Sequence, residues 1–149
     1  MRDESTAFEA VDYALRFVGR RYQWGEAPGG GDDPVFGFDC SGFVSEVLRG
    51  VGVFSPSQRE NARGILQIFK KNIMGFPYAG VLAFYGSNPA APTHIAMLKG
   101  PRFVVEAGGG NSKTTTDAVA AARNAFVRIR PLHYRSDLIC MVDPFLQGT

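Results

Sequence analysis

The chain has 149 residues and a formal net charge of +2, a length that predicts one compact domain and leaves little room for a second. Hydrophobic residues make up 45% of the chain and charged residues 20%, a globular balance that excludes a largely disordered protein. The weak charge indicates no nucleic-acid partner, and no apolar run approaches the ~20 residues of a membrane-spanning helix. We therefore expect a single domain over residues 1–149 with no membrane span; the oligomeric state stays open.

The beginning of the chain and its cysteines bear on the compartment. Residues 1–4 are polar and no apolar signal segment follows them, so we expect no signal peptide and synthesis in the cytosol. The chain has two cysteines, Cys40 and Cys140, which cannot form a disulfide framework. We expect Cys40 to be a free thiol.

The first half of the chain predicts helices and the second half predicts strands. A capping box at residues 6–9 is expected to open a helix that ends at Gly19; a second helix spans about 40–49, and a capping box at residues 57–60 opens a third. Five short apolar runs then predict strands, at residues 81–85, 94–98, 103–106, 126–130 and 138–142. This order is typical of an α+β domain with N-terminal helices packed on a largely antiparallel sheet.

The segment Asp39-Cys40-Ser41-Gly42 lies where the second helix should begin. With Asp39 as the N-cap, Cys40 occupies the first helical position, at the positive end of the helix dipole. Unpaired backbone N–H groups there favour a nucleophilic thiolate and can donate to an oxyanion. The alternative is that Cys40 is an apolar core residue and Asp39 only a cap.

A histidine and a carboxylate occur on two predicted strands further along the chain. His94 begins one strand and Glu106 ends the next, and the short Gly100–Pro101 turn between them predicts a hairpin that brings the two side chains together. A cysteine at a helix start, a histidine and an orienting acceptor form a cysteine-nucleophile triad. His94 alone would more often be structural and Glu106 alone a solvated strand end; their joint occurrence favours the triad.

Three segments carry a resemblance to a known family. Residues 22–25, "YQWG", residues 37–44, "GFDCSGFV", and residues 94–97, "HIAM", resemble the NlpC-type, papain-like cell-wall peptidases. The resemblance covers roughly residues 10–107. It implies a papain-like α+β fold with a five- or six-stranded sheet. It also implies hydrolysis of an amide bond in peptidoglycan stem peptides, commonly the D-glutamyl–diaminopimelyl link, without a metal or other cofactor.

The resemblance also implies roles for single residues of the triad. Cys40 would be the nucleophile and His94 the general base. Glu106 stands where the family usually has a histidine, and is more similar to the glutamate of the related CHAP amidases. An alternative is that Glu106 points into solvent and that another group, such as Asn111, steadies His94.

Residues for substrate binding follow from the same resemblance. Tyr22 matches a family tyrosine that lines the site near the nucleophile, and Asp39 and Ser41 flank the cysteine where some relatives contact the stem peptide. The alternative is that Asp39 only caps the second helix and does not contact the substrate. Arg128 and Arg130 share one strand face and are interpreted as a solvated edge, with contacts to an anionic glycan as the second interpretation.

Two other classes of protein stay open at this stage. One is a catalytically silent module that binds the wall or serves as a phage structural component. The other is an amidase or acyltransferase that uses the same Cys40–His94 pair. Without a signal peptide, the protein could reach peptidoglycan in three ways. It could be part of a phage particle, it could be released at lysis, or it could act on wall peptides that are recycled in the cytosol.

Overall fold

The computed structural model describes residues 1–22, 37–110 and 117–147. Within these ranges the elements follow the predicted order of helices first and strands second. They are α1 (Glu4–Leu15), β1 (Arg21–Tyr22), β2 (Gly37–Phe38), α2 (Cys40–Gly50), α3 (Ala62–Ile68), a 3-10 turn (Lys70–Asn72), β3 (Ile73–Met74), β4 (Leu82–Tyr85), β5 (His94–Leu98), β6 (Phe103–Gly108), α4 (Asp117–Arg123), β7 (Phe126–Pro131) and β8 (Leu138–Val142). The predicted α+β class is confirmed.

The strands of the described residues form one sheet in the order β2-β1-β7-β6-β5-β4-β8-β3. The five predicted strands lie together in its centre as β7-β6-β5-β4-β8, and all their pairings are antiparallel. Three two-residue strands extend the edges, with β1 and β2 paired in parallel. Two residues are too few to show a strand period, so the sequence carries no signal for these three.

Helix α2 is the element that ties the helical half to the sheet, because it packs on β5 and β6. Its buried apolar face consists of Phe43, Val44, Val47 and Leu48. On β5, Ile95 and Met97 belong to this core, whereas Ala96 and Leu98 belong to a second apolar cluster on the other face of the sheet. The sheet is therefore buried on both faces, and a polar side chain on it must find internal partners.

Two of the three predicted helix starts are wrong. Helix α1 begins at Glu4 because the N-cap is Asp3, whose carboxylate accepts from the Thr6 N–H at 3.1 Å and from the Thr6 hydroxyl at 2.6 Å. Helix α3 is capped by Asn61, which accepts from the N–H of Gly64 at 2.8 Å, and not by Ser57. In both cases a competing cap residue was available nearby. No helix in the described ranges is long and apolar enough to cross a membrane.

Candidate active site

Cys40 is the first residue of α2, as predicted. The Asp39 backbone is extended, with φ −83° and ψ 177°, and its carboxylate accepts from the N–H of Gly42 at 2.6 Å. This N-cap turns the chain into the helix at the cysteine and leaves the thiol beside the open first turn. Cys40 is a half-buried free thiol.

His94 lies between Cys40 and Glu106. It is the first residue of β5 and is 7% exposed. Its Nε2 lies 2.7 Å from Oε1 of Glu106, and its side chain also hydrogen-bonds to Cys40. Because Nε2 is occupied by Glu106, Nδ1 is the ring nitrogen left for the thiol. The predicted hairpin thus brings the three side chains into one hydrogen-bonded chain; their catalytic roles stay predictions.

The electrostatics of the hydrogen-bonded side chains favour an ion pair between His94 and Glu106. Burial lowers the pKa of His94, but the hydrogen bonds to Cys40 and Glu106 outweigh burial and raise it to about 9. Burial raises the pKa of Glu106, but its hydrogen bonds, above all that with His94, outweigh burial and lower it to about 2. At neutral pH His94 is therefore an imidazolium and Glu106 a carboxylate.

Glu106 has two further partners that the sequence did not reveal. The Tyr134 hydroxyl donates to Oε1 at 2.6 Å, and Nε of Arg128 donates to Oε2 at 3.0 Å. Glu106 is fully buried, so it is not a solvated strand end. The interpretation of Arg128 as part of a solvated edge is also wrong, because its side chain is only 18% exposed and pairs with Glu106. The interpretation of Arg130 stays a prediction.

A cleft of about 340 Å³ opens beside the thiol. Its lining comes from the starts of α2 and α3 and from the turn before β5: Asp39, Cys40, Ser41, Arg59, Asn61, Ala62, Arg63, Pro92 and Thr93. Arg59 bridges the two helix starts, since its Nη2 lies 2.9 Å from both carboxylate oxygens of Asp39. Arg59 was not among the predicted site residues, because the segment around it was interpreted as a helix cap.

The three predicted substrate-binding residues have different outcomes. Asp39 and Ser41 line the cleft, although they are only 6% and 5% exposed. Asp39 also fills the capping role that was its alternative. The backbone of Tyr22 lies in β1, but its side chain lies outside what the structure describes, as does Asn111. Their predicted roles stay predictions.

A metal site was not expected from the sequence. Among residues 1–22, 37–110 and 117–147, no group of three or more His, Cys, Asp or Glu side chains is placed to hold a metal ion.

Comparison with protein families gives one clear match: the model described as "NlpC/P60 family" matches residues 19–130. Among curated proteins, the chain is 32% identical over 133 residues to the peptidoglycan endopeptidase RipB of Mycobacterium tuberculosis, covering 79% of this chain and 52% of that protein. It is 33% identical over 89 residues to the bifunctional muramidase/DL-endopeptidase CwlT of Bacillus subtilis, covering 58% and 25%. The chain thus spans about half the length of RipB and less of CwlT.

Solved structures show the same fold. The structure of RipB from M. tuberculosis superposes with a TM-score of 0.64 at 24% identity, covering 96% of this chain and 68% of that one. The P60 domain of an antigen from M. avium subspecies paratuberculosis superposes with a TM-score of 0.66 at 18% identity, covering 97% and 98%. At these identities the likeness concerns the fold alone.

Proposed function

Since this chain belongs to the NlpC/P60 family, we propose that it is a cysteine endopeptidase that hydrolyses an amide bond in peptidoglycan stem peptides. The observation that carries the proposal is the hydrogen-bonded chain Cys40–His94–Glu106 at the first turn of α2. A thiol at a helix start, an imidazole on it and a buried carboxylate behind the imidazole are the parts of a cysteine hydrolase. We propose residues 1–149 as a single catalytic domain.

The first half of the reaction forms an acyl-enzyme. The Cys40 thiolate attacks the carbonyl carbon of the scissile amide and forms a tetrahedral oxyanion. Backbone N–H groups at the start of α2 lack intrahelical acceptors and can donate to that oxyanion. The intermediate collapses when His94 gives its proton to the leaving amine, so the C–N bond breaks and a thioester remains on Cys40.

The second half restores the enzyme with water. Neutral His94 accepts a proton from water, whose oxygen attacks the thioester carbonyl. Collapse of the second tetrahedral intermediate expels the Cys40 thiolate, and the acyl group leaves as a carboxylic acid. His94 is again the imidazolium, held by the Glu106 carboxylate at 2.7 Å. No step needs a metal ion or an organic cofactor.

We propose the D-glutamyl–diaminopimelyl bond as the bond that is cut. Support comes from the family resemblance of the residues around Cys40 and from the relative CwlT, which is named a DL-endopeptidase. The cleft beside the thiol also suits a stem peptide, because Arg59 and Arg63 line it and stem peptides carry free carboxylates. Arg59, Ser41 and Tyr22 are our candidates for substrate contacts.

The test uses stem peptides of defined sequence and the purified protein. Wild type and Cys40→Ala are incubated with L-Ala-γ-D-Glu-diaminopimelate peptides and with the lysine-containing equivalents, and the products are separated and identified by mass. We expect wild type to cut between D-glutamate and diaminopimelate and Cys40→Ala to leave the peptide intact. Cleavage at another bond would overturn the bond assignment, and no cleavage of any stem peptide or whole peptidoglycan would overturn the function.

Two controls address the other classes of protein. A catalytically silent wall-binding module would sediment with insoluble peptidoglycan without releasing any fragment. An acyltransferase would form an amide with an added amine acceptor, which appears as a product heavier than the hydrolysed peptide by the acceptor minus water. Hydrolysis products alone, in the presence of the acceptor, support the endopeptidase.

The setting of the reaction stays a prediction that the neighbouring genes test. Phage structural genes beside this one would support action from a phage particle or at lysis. Genes for recycling or transport of wall peptides would contradict the phage setting and favour a cytosolic recycler.

A further inference from the structure

The Glu106 carboxylate is held by three donors, which lie on β5, on β7 and in the turn after β7. Oε1 accepts from His94 on β5 and from the hydroxyl of Tyr134, which follows β7, at 2.7 and 2.6 Å. Oε2 accepts from Nε of Arg128 on β7 at 3.0 Å. Arg128 and Tyr134 both contact Glu106, and neither is among the residues that line the cleft beside Cys40.

We propose that Arg128 and Tyr134 are positioning residues, which keep the Glu106 carboxylate charged and aligned with His94. The role rests on the proposed function, in which His94 serves Cys40 in the reaction. A carboxylate with no exposed surface, such as Glu106, becomes neutral unless charge or hydrogen bonds compensate for its burial. Arg128 supplies the opposite charge and Tyr134 a neutral hydrogen-bond donor.

The backbone of β6 leaves room for the guanidinium. Glu106 lies directly opposite Arg128 in the β6–β7 register. A Cβ on Gly108 would overlap Oε2 of Glu106 and would lie 2.9 Å from Nη2 of Arg128. A Cβ on Gly109, whose φ is +86°, would lie 3.2 Å from Nη1 of Arg128. The two glycines therefore form a slot for the Arg128–Glu106 pair, an observation independent of the hydrogen bonds.

The Tyr134 hydroxyl stays protonated, and so remains a hydrogen-bond donor, over the working pH range. Burial, followed by its hydrogen bond to Glu106, raises its pKa to about 12. Its ring packs on Tyr85, at a centroid distance of 6.1 Å, and the Tyr85 hydroxyl is committed to the carbonyl of Leu132 at 2.8 Å. The phenol of Tyr134 is thus fixed in place with its hydroxyl toward Glu106.

Among the residues that the structure describes, the charged and titratable groups around Glu106 can be separated by mutation. His94, Arg128 and Tyr134 contact it, and the Tyr85 hydroxyl is close enough to feel its charge. Next to them, Arg135 hydrogen-bonds to Tyr134, lies over the Tyr85 ring at 5.3 Å and pairs with Asp137. Removal of Arg128 changes the ionisation of Glu106 in one direction: without the positive charge, the pKa of Glu106 rises.

The test measures the rate of Cys40 alkylation by iodoacetamide against pH, in a Cys140→Ser background that removes the second thiol. In wild type, Glu106 stays ionised far below neutral pH, because its pKa is held at about 2. Alkylation should slow where Glu106 becomes protonated and no longer supports His94 beside Cys40. In Arg128→Met we expect this acid limb to move up by at least about one pH unit, a tenfold change in the ionisation of Glu106. Tyr134→Phe should move the acid limb in the same direction by less. Arg128→Lys, which keeps the positive charge, should give an acid limb between those of wild type and Arg128→Met.

Arg130→Met is the matched control, because Arg130 lies two residues further along β7 on the face of Arg128. Its profile should coincide with wild type. If circular dichroism shows that Arg128→Met does not fold, the acid limbs of Arg128→Lys and Tyr134→Phe test the positioning role. Acid limbs that match wild type in the folded variants would overturn the positioning role. Because alkylation needs no peptidoglycan, shifted acid limbs in a protein that cuts no stem peptide would refute the proposed function. They would leave standing only the hold of Arg128 and Tyr134 on Glu106.

Discussion

Nε2 of His94 and Oε1 of Glu106 lie 2.7 Å apart with both side chains almost fully buried. A buried imidazole–carboxylate pair of this length is held by charge as well as by a hydrogen bond. It fixes the ring so that Nδ1 faces Cys40, and it makes the protonated form of His94 the stable one. The proposed reaction needs that form twice, to balance the Cys40 thiolate and to protonate the leaving amine.

The first prediction concerns the charge of Glu106. Glu106→Gln keeps an acceptor for His94 but loses the charge, and a hydrogen bond to a charged group contributes about 1.5–3 kcal/mol. We expect kcat/KM to fall by roughly 10- to 100-fold. Glu106→Ala should cost more, because it removes the acceptor as well, and Cys40→Ala should abolish turnover. The measurement is steady-state hydrolysis of a stem peptide.

Circular dichroism and thermal unfolding of each Glu106 variant serve as its control, since Arg128 and Tyr134 lose their acceptor when the carboxylate is removed. A folded Glu106→Ala enzyme with kcat/KM within about twofold of wild type, well under 1 kcal/mol of barrier, would remove Glu106 from the reaction. A Cys40–His94 dyad would then remain.

The second prediction concerns activity at high pH. Burial lowers the pKa of His94, but the hydrogen bonds to Cys40 and Glu106 raise it to about 9. The imidazolium is therefore lost as the pH rises through about 9, and we expect kcat/KM to fall there. Glu106→Gln removes one cause of the raised pKa, so its basic limb should lie at lower pH. A basic limb that does not move in Glu106→Gln would contradict the assignment.

The same shifts predict how stability depends on pH. The pKa of His94 is raised above its ordinary value of 6.5, so its contribution is full below pH 6.5 and is lost as the pH rises through about 9. The pKa of Glu106 is lowered from 4.5, so its contribution is full above pH 4.5 and is lost as the pH falls through about 2. The pair should therefore stabilise the fold most between pH 4.5 and 6.5. The free energy of unfolding, measured in urea, should fall less between pH 6 and pH 9.5 in Glu106→Gln than in wild type.

The sequence predicted the parts of the site whose signals are local. Cys40 follows an N-cap residue at the start of an apolar helix, and His94 begins a strand, so each could be placed without knowledge of the fold. Glu106 could be paired with His94 because only a short Gly-Pro turn separates their strands. The resemblance to the family then connected the helix to the hairpin, which no local pattern could do.

Arg128 and Tyr134 illustrate what local signals could not supply. Arg128 pairs with Glu106 across β6 and β7, whose connection is long, and the period of a strand does not say which strand lies beside it. Tyr134 follows β7 in a turn, where there is no periodicity to interpret. The start of α1 was misplaced for a different reason: Asp3 and Thr6 are both good N-caps, and the Asp3 carboxylate takes both the N–H and the hydroxyl of Thr6.

The third prediction concerns Arg59, which lines the cleft and whose Nη2 contacts both carboxylate oxygens of Asp39. If Arg59 binds a carboxylate of the stem peptide, Arg59→Met should raise KM by about tenfold, the equivalent of about 1.4 kcal/mol, with little change in kcat. The Cys40 alkylation rate should stay near wild type, because Asp39 keeps its bond to Gly42 and so keeps the helix start. Kinetics on a stem peptide, together with alkylation, separate the two effects.

Arg16→Met is the control for Arg59, because Arg16 is a solvent-exposed arginine whose side chain is 71% accessible and pairs with Asp12 on the helix surface. It should leave KM and kcat unchanged. Arg59→Lys should retain part of the affinity, since it keeps the charge without the fork geometry. An unchanged KM in Arg59→Met would mean that Arg59 braces the helix starts and does not bind substrate.

The fourth prediction concerns a buried ion pair remote from the site. Nε of Arg2 lies 2.6 Å from Oδ2 of Asp143, whose side chain is fully buried and also accepts from the N–H of Phe145 at 3.0 Å. Removal of one partner from a buried pair leaves an uncompensated charge, at a cost of about 3–5 kcal/mol. We expect Arg2→Met to lower the free energy of unfolding by about that amount in urea denaturation.

Asp143→Asn in the Arg2→Met background tests the cause of that loss, because it removes the orphaned charge while keeping an acceptor for Phe145. We expect the double variant to be more stable than Arg2→Met. The exposed Arg16→Met, for comparison, should change stability by less than about 0.5 kcal/mol. If the double variant is no more stable than Arg2→Met, the loss does not come from the charge of Asp143. The contacts of the Arg2 guanidinium with the Ala79 carbonyl and the Tyr78 and Phe145 rings would then carry the stability.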